Sequence, residues 1–239
     1  MRALFAGFVD LLLPRACARC GGAPRPDSIL CRRCAAALPR LDAGGCRVCQ
    51  GPAAARGERC AACRSERVPL AQIAAEVAFA GEAADWIRRF KYPGHGLAGL
   101  DPRPGALAGA LLADAARRLD GPAPQLVVPV PIHLRRLRER GFHPAGELAR
   151  ALGRALGIPA DPGALVQRRP TASQTGLDRR ARRRNVRDAF AARAGFRAPA
   201  CVALVDDVVT TGATLAEAAR PLRRAGARRV VAVCVARTV

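Results

Sequence analysis

Eight of the ten cysteines in this 239-residue chain form four Cys-x-x-Cys pairs within the first 63 residues. Two cysteines at this spacing turn both sulfur atoms toward one point, and four thiolates complete a tetrahedral shell around zinc. The gaps between successive pairs are ten, eleven and ten residues. The pattern therefore predicts metal sites in a small N-terminal module. The pairs are Cys17/Cys20, Cys31/Cys34, Cys46/Cys49 and Cys60/Cys63.

Disulfide bonds are the alternative explanation of these pairs, but a reducing compartment disfavours them and even spacing is typical of zinc ligands. We expect two closed structural zinc sites, one from the first two pairs and one from the last two, although an interleaved pairing fits the same spacing. A segment of about 50 residues with few apolar anchors needs the metal to fold. No aromatic residue lies between the first and the last cysteine. Stacking on nucleic-acid bases is therefore not supported, and a scaffold role is expected.

The chain is strongly basic, with a formal net charge of +21, and Lys91 is its only lysine among 40 basic residues. Such a charge suits a polyanionic partner, either nucleic acid or a small polyphosphate. A composition that uses arginine for every surface cation explains it equally well. Local clusters of charge are therefore more informative than the total.

The chain has no apolar run of about 18 residues, so no membrane span is expected. Residues 3–13 are apolar but include Asp10, and no small-residue cleavage site follows them. We interpret this stretch as a short amphipathic helix packed on the body of the protein, not as a signal peptide. A cytoplasmic location is expected.

From Ile73 onward, apolar runs alternate with helical patterns. Strands are expected at 73–79, 125–131, 201–205 and 229–235, and helices at 82–90, 105–119, 144–156 and 214–225. Continuous apolar strands that alternate with helices indicate a parallel sheet covered on both faces. The predicted fold class is therefore α/β, with an N-terminal helix and double zinc ribbon in residues 1–70 and a parallel-sheet domain flanked by helices in residues 71–239.

Two aspartates, Asp206 and Asp207, follow the expected strand at 201–205. Ligands of parallel sheets bind at the carboxyl ends of strands, and backbone N–H groups at a helix start bind anions. The carboxylates suit a vicinal diol and a divalent cation, and the hydroxyl groups and small residues that follow suit a phosphate. The predicted ligand is a 5-phosphorylated ribose. The phosphate would be bound by Thr210, Thr211, Gly212, Ala213 and Thr214.

These motifs resemble those of the ComF (competence protein F, or GntX-like) family of type I phosphoribosyltransferases. Similar residues extend along nearly the whole chain, with one departure, since the family's Asn-Gln after Arg-Gly-Phe is His143-Pro144 here. Besides the cysteine pairs and the acidic loop, the matching residues are Phe90-Lys91-Tyr92, Val128-Pro129-Val130-Pro131, Arg136, Arg140-Gly141-Phe142, Arg169, Thr171, Gln174, Gly176-Leu177, Arg183, Asn185-Val186, Ala189-Phe190 and Ala225-Gly226-Ala227.

The resemblance implies a type I phosphoribosyltransferase fold that binds phosphoribosyl pyrophosphate with Mg²⁺. Asp206 and Asp207 would be the catalytic pair that binds the ribose hydroxyls, partly through Mg²⁺. Arg136 and Arg140 would neutralise the pyrophosphate. Residues 168–190, including Thr171 and Gln174, would form a flexible loop that closes over the site.

Three functions are compatible with these features. The resemblance implies an enzyme that transfers a phosphoribosyl group to or from a base or another nucleophile. The alternative is a non-catalytic, nucleotide-sensing or single-stranded-DNA-handling partner of a helicase in DNA uptake. The third is a pure scaffold, against which the intact acid pair argues. The arginine-rich run at 179–184 fits DNA phosphates or a solvated helix face, and nothing in the sequence identifies an acceptor substrate.

Overall fold

The structure is a computed structural model that describes residues 16–26, 28–41, 45–55, 57–65, 68–91, 103–171 and 178–238. The helix expected at 3–13, Tyr92 and Gln174 lie outside these residues. Two short helices, α1 (Arg32–Ala36) and α2 (Ala61–Ser65), belong to the cysteine-rich part of the chain. Among the described residues, no helix has the length and apolar character needed to cross a membrane.

The rest of the chain builds a four-stranded sheet with the order β1–β6–β5–β2, in which all neighbouring strands are parallel. Strands β3 and β4 form a separate antiparallel hairpin. The expected parallel sheet flanked by helices is confirmed, whereas the domain boundary after residue 70 stays a prediction. In chain order the elements are β1 (Gln72–Ala78), α3 (Gly81–Lys91), α4 (Arg103–Ala116), β2 (Leu126–Pro129), α5 (Leu134–Arg140), α6 (Pro144–Leu156), β3 (Leu165–Gln167), α7 (Arg179–Val186), β4 (Phe190–Ala192), β5 (Cys201–Val209), α8 (Ala213–Arg224) and β6 (Arg229–Arg237).

Two apolar layers cover the two faces of the sheet. Leu112 of α4 and Leu148 of α6 pack with Val205 on one face. Leu215 of α8 packs with Leu204 on the other. Successive residues of β5 thus point to opposite layers, as the two-residue period of a strand requires. Both faces are apolar, and this explains why the strands read as continuous apolar runs.

Strand β5 is longer than predicted. It continues to Val209, whereas the sequence pattern placed its end at Val205. Asp206 pairs with Cys234 of β6, and Val209 pairs with Arg237. The ladder to β6 supplies backbone hydrogen bonds that outweigh the low strand propensity of aspartate. The acid pair therefore lies on the strand itself and not in a loop after it.

The segment between the two cysteine-rich halves covers the outer edge of β1. Ala78 N donates to Pro39 O at 2.7 Å, and Leu41 N donates to Glu76 O at 3.1 Å. Arg40 and Val77 form an isolated antiparallel bridge. Residues 39–41 therefore act as a short extra edge that joins the cysteine-rich part to the sheet.

A buried carboxylate strengthens the same junction. The side chain of Glu76 is 2% exposed and forms ion pairs with Arg40 and, at 2.5 Å, with Arg118. Burial raises the pKa of Glu76, while Arg118 and Arg40 act in the opposite direction. A buried charge without a partner is costly. The two ion pairs of Glu76 therefore hold Arg40, strand β1 and Arg118, which follows α4, together.

Candidate functional site

The eight paired cysteines form two separate groups of four. Within each group, all sulfur atoms lie within 4.8 Å of one another. The pairing is sequential, as expected, and not interleaved. Four cysteine ligands with no open position are the donor set of a structural zinc site, not a catalytic one. The groups are Cys17/Cys20/Cys31/Cys34 and Cys46/Cys49/Cys60/Cys63.

Backbone N–H groups prepare these sulfur atoms to bind a cation. Cys31 N donates to Cys17 Sγ at 3.3 Å, and Gly51 N donates to Cys49 Sγ at 3.4 Å. Burial alone would raise the pKa of Cys17 and Cys46, but hydrogen bonds from backbone N–H groups prevail and lower each to about 6. Metal ligation requires the thiolate. The local backbone thus favours the form that binds zinc.

The two aspartates of β5 lie beside the single lysine of the chain. Asp207 is 8% exposed, and Lys91 Nζ lies 3.0 Å from its Oδ1 atom. Asp207 N donates to Asp206 Oδ1 at 2.9 Å. A buried carboxylate is thereby neutralised by a cation that comes from the last residue of α3, an element distant in sequence.

The carboxyl group of Asp206 has a raised pKa. Burial raises the pKa of Asp206 to about 7, and the negative charge of Asp207 adds to this effect. The charges of Lys91 and Arg140 and a backbone hydrogen bond from Asp207 oppose it. Near neutral pH Asp206 is therefore partly protonated, and a cation or a hydrogen-bond donor arriving at the site would favour its ionised form.

The residues after β5 turn sharply into helix α8. Gly212 is the N-cap and has φ +76°, in the left-handed region. A Cβ at this position would lie 3.3 Å from Ile73 Cδ1, so a side chain here would be both strained and crowded. Ala213 N donates to Thr211 Oγ1 at 3.3 Å. The first turn of α8 contains no acidic residue, and its positive end is therefore suited to an anion.

Helix α5 brings two more of the predicted residues to the same place. His133 caps its start, where Nδ1 accepts from Arg135 N at 3.2 Å, and Gly141 closes it with φ +75°. Arg136 Nη2 donates to Thr171 O at 3.1 Å. Arg136 therefore lies next to the start of the segment that is predicted to close over the site.

The departure from the family pattern at His143 has a structural role. His143 is the N-cap of α6, and its Nε2 atom lies 3.0 Å from Val130 O. Burial lowers the pKa of His143, so the ring is neutral and Nε2 carries the proton that it donates to this carbonyl. The histidine thus fixes the turn after β2 to the start of α6.

These residues line one open cleft of about 780 Å³, which we call the acid cleft. It brings together most of the predicted site residues from three separate segments of the chain. Thr211 does not line it, and Gln174 lies outside the described residues. The predicted residues that line the acid cleft are Asp206, Asp207, Thr210, Gly212, Ala213, Thr214, Arg136, Arg140 and Thr171.

Lys91 also lines the acid cleft, and its position next to Asp207 was not predicted. The sequence did contain a signal. A chain that uses arginine for its other 39 basic positions has kept one lysine. Lysine offers a compact point charge where arginine offers a planar fork. The compact lysine charge suits the small space beside the buried carboxylate of Asp207.

A second cleft of about 890 Å³, which we call the arginine cleft, lies on the other side of the turn into α8. Its lining includes Thr211, three cysteines of the second group (Cys49, Cys60 and Cys63), and residues of α7 and α8. Seven arginines line it against two carboxylates, Asp188 and Glu217. The arginines are Arg180, Arg183, Arg184, Arg187, Arg220, Arg224 and Arg237.

Comparison with known proteins identifies relatives along almost the whole chain. The family model for a double zinc ribbon domain matches residues 8–66. The chain is 31% identical over 226 residues to the DNA utilization protein YhgH of Escherichia coli strain K12, an alignment that covers 93% of this chain and 90% of the relative. It is 35% identical over 122 residues to competence protein F of Haemophilus influenzae, covering 49% of this chain and 52% of that protein.

Among solved structures, the chain is similar to a glutamine phosphoribosylpyrophosphate amidotransferase from B. subtilis complexed with ADP and GMP. The identity is 23%, and the match covers 60% of this chain and 29% of that chain. The TM-score of 0.39 indicates a distant likeness.

Proposed function

Because the chain belongs to the family of the DNA utilization protein YhgH and competence protein F, we propose that its acid cleft binds phosphoribosyl pyrophosphate or a nucleoside 5-phosphate together with Mg²⁺. The observation that carries this proposal is the position of the acid pair on β5, in the same cleft as the start of α8, where the N-cap residue Gly212 has no side chain. A sugar with a terminal phosphate has the same layout, with an anion at one end and hydroxyl groups further along.

In this proposal each part of the ligand has its own set of contacts. The 5-phosphate binds the backbone N–H groups and hydroxyl groups of residues 210–214. Asp206 and Asp207 accept hydrogen bonds from the ribose hydroxyl groups. Arg136 and Arg140 of α5, which also line the cleft, bind the pyrophosphate. Mg²⁺, held by carboxylate and phosphate oxygens, would neutralise charge on the pyrophosphate.

The reaction class that fits this arrangement is phosphoribosyl transfer. The bond between C1 of the ribose and the pyrophosphate oxygen breaks, a nucleophile bonds to C1, and pyrophosphate leaves. Cations placed around the leaving group stabilise the charge that develops on it. The residues of the acid cleft thus contribute binding, orientation and electrostatics, and the proposed step needs no side-chain nucleophile.

Calorimetry with Mg²⁺ and phosphoribosyl pyrophosphate tests the binding. We expect binding by the wild type and none by the double variant Asp206→Asn with Asp207→Asn. The matched control is Asp85→Asn with Asp114→Asn, which changes two aspartates outside the acid cleft. Absence of binding by the wild type would contradict the proposal. Release of labelled pyrophosphate in the presence of a panel of bases then separates an enzyme from a binding protein.

A second candidate function is handling of single-stranded DNA without turnover, and the arginine cleft favours it. Arg184 and Arg224 have no carboxylate partner within the described part of the chain, so their charges are available to an external anion. DNA binding that falls with salt and survives the Asp206 and Asp207 substitutions would support this function. A helicase partner and a cytoplasmic location stay predictions.

A further inference from the structure

The acid cleft and the arginine cleft share a wall. Thr210, Gly212, Ala213 and Val186 line both of them. The turn that would hold a 5-phosphate is therefore open on two sides, toward the acid pair and toward the arginines. A phosphate bound on this turn has room for a substituent that continues into the arginine cleft.

The chemistry of the arginine cleft suits a chain of phosphates. Its seven arginines face two carboxylates, and Glu217 is already engaged with Arg220 at 3.2 Å and with Asp188 N at 3.0 Å. Arg237 is 8% exposed, and its buried Nε atom has no hydrogen-bond partner among the described residues. No aromatic residue is among the described residues that line this cleft. Contacts to a backbone of phosphates, and not stacking on bases, are therefore expected.

The acid pair determines which end of a strand can enter. A nucleotide at a 5′ end has a phosphodiester on its 3′ oxygen, which would lie against Asp206 and Asp207, and like charges repel. A nucleotide at a 3′ end offers a free hydroxyl group to the aspartates. Its 5-phosphate is a diester, and the strand continues from that diester.

We propose that the two clefts together bind the 3′ end of a single-stranded nucleic acid. The terminal sugar lies at the acid pair, its 5-phosphodiester lies on the turn at residues 210–213, and the preceding phosphates lie in the arginine cleft. This inference rests on the proposed binding of a sugar phosphate in the acid cleft. It adds the class of the ligand and its direction.

Competition binding with short oligonucleotides tests the direction. We use single strands of about ten nucleotides, within the range of known single-strand sites, labelled on an internal base and followed by fluorescence anisotropy. The strands carry a free 3′ hydroxyl group, a 3′ phosphate, or no end at all because they are circular. We expect adenosine 5′-monophosphate to displace only the strand with the free 3′ hydroxyl group. The strand with a 3′ phosphate and the circular strand should bind more weakly than the free strand. A strand ending in a ribonucleotide should bind more tightly than one ending in a deoxyribonucleotide, because it offers both hydroxyl groups.

Substitutions separate this inference from the function on which it rests. Arg184→Ala with Arg224→Ala should weaken oligonucleotide binding and reduce the slope of log affinity against log salt by about 1.4, corresponding to two lost phosphate contacts. Binding of the mononucleotide should not change. Arg117→Ala with Arg154→Ala is the matched control, since both arginines lie outside the two clefts.

Each unfavourable outcome has a distinct meaning. If the mononucleotide does not bind, the proposed function fails and this inference fails with it. If the mononucleotide binds but the blocked and circular strands bind as tightly as the free strand, only the inference is overturned. Equal displacement of the strand by polyglutamate would assign the arginine cleft to an acidic protein and would also overturn it.

Discussion

The guanidinium group of Arg237 donates a hydrogen bond of 2.6 Å to the carbonyl oxygen of Cys49. Arg237 ends β6 and pairs with Val209, the last residue of β5. The second cysteine group is thereby in direct contact with the strands that carry the acid pair. Arg237 is 8% exposed, so water only partly replaces its guanidinium group when this contact is lost.

Replacement of this arginine should destabilise the protein. We expect Arg237→Met to lower the free energy of unfolding by about 1–3 kcal/mol, because a buried carbonyl loses its charged donor. Thermal or urea denaturation measures the change. The control is Arg117→Met, at a side chain that is 71% exposed, where the expected change is within about 0.5 kcal/mol. Equal stabilities of the two variants would show that the contact with Cys49 is unimportant.

Ligand binding should depend on pH because of Asp206. Its pKa is raised from 3.8 to about 7, first by burial and then by Asp207. A cation bound through both carboxylates displaces the proton, so Mg²⁺-dependent affinity for a nucleoside 5-phosphate should increase as the pH rises through about 7 and level off above it. Calorimetry across this range measures the effect. Asp206→Asn should retain only the weaker dependence that comes from the ligand's own phosphate, with a pKa near 6.

The same shift should make the unliganded protein less stable at higher pH. An acid whose pKa is higher in the folded state binds its proton more tightly there. The stability that this proton confers is complete below 3.8, the ordinary pKa, and is lost as the pH rises through about 7. The difference in melting temperature between Asp206→Asn and the wild type should therefore grow in favour of the variant between pH 5 and pH 8. A difference that is constant with pH would contradict the raised pKa.

Removal of the lysine charge should move this titration. The charge of Lys91 holds down the pKa of Asp206, so Lys91→Met should shift the midpoint of the binding curve to higher pH. Lys91→Arg keeps the charge and should keep the midpoint, although its larger planar group should weaken affinity. Carbon-detected NMR of the aspartate side chains observes the shift directly. An unchanged midpoint in Lys91→Met would exclude Lys91 as a determinant of the acid pair.

Loss of one cysteine ligand should remove one metal ion. We expect two zinc ions per chain in the wild type and one in Cys46→Ser, since each group of four binds one ion. Mass spectrometry of the intact chain under native conditions measures the number. Cys201→Ser is the control, because Cys201 is a buried residue of β5 outside both groups. A disulfide-bonded module would instead contain no zinc in any of these proteins.

Most of the sheet domain was predictable because its strands are buried on both faces. The strand pattern around Val233 or Leu204 is continuous and apolar, and the bounds of α6 agree with the prediction, where Pro144 begins the helix and Gly157 ends it. The observed grouping of the first two and the last two cysteine pairs also agrees with the grouping expected from their spacing. These features depend on local composition, which a single sequence shows directly.

Features that depend on tertiary contacts were not predictable. Asp206 and Asp207 lie within β5 because β6 pairs with them, and nothing in their own propensity indicates it. The ion pair between Lys91 and Asp207 joins residues that are distant in the chain. Helix α5 is short and almost wholly polar, and only its closing residue Gly141 signalled it. The position of Thr211 on the arginine side of the turn likewise follows from the path of the backbone.

Residues 39–41 have one further consequence, which concerns the solubility of the protein. An unpaired strand at the edge of a sheet invites association with the edge of another molecule. In this chain the strand β1 is shielded by residues that lie between the two metal-binding groups in the sequence. Removal of zinc would free residues 39–41 from the edge of β1. We then expect the exposed backbone of β1 to drive self-association before the sheet itself unfolds.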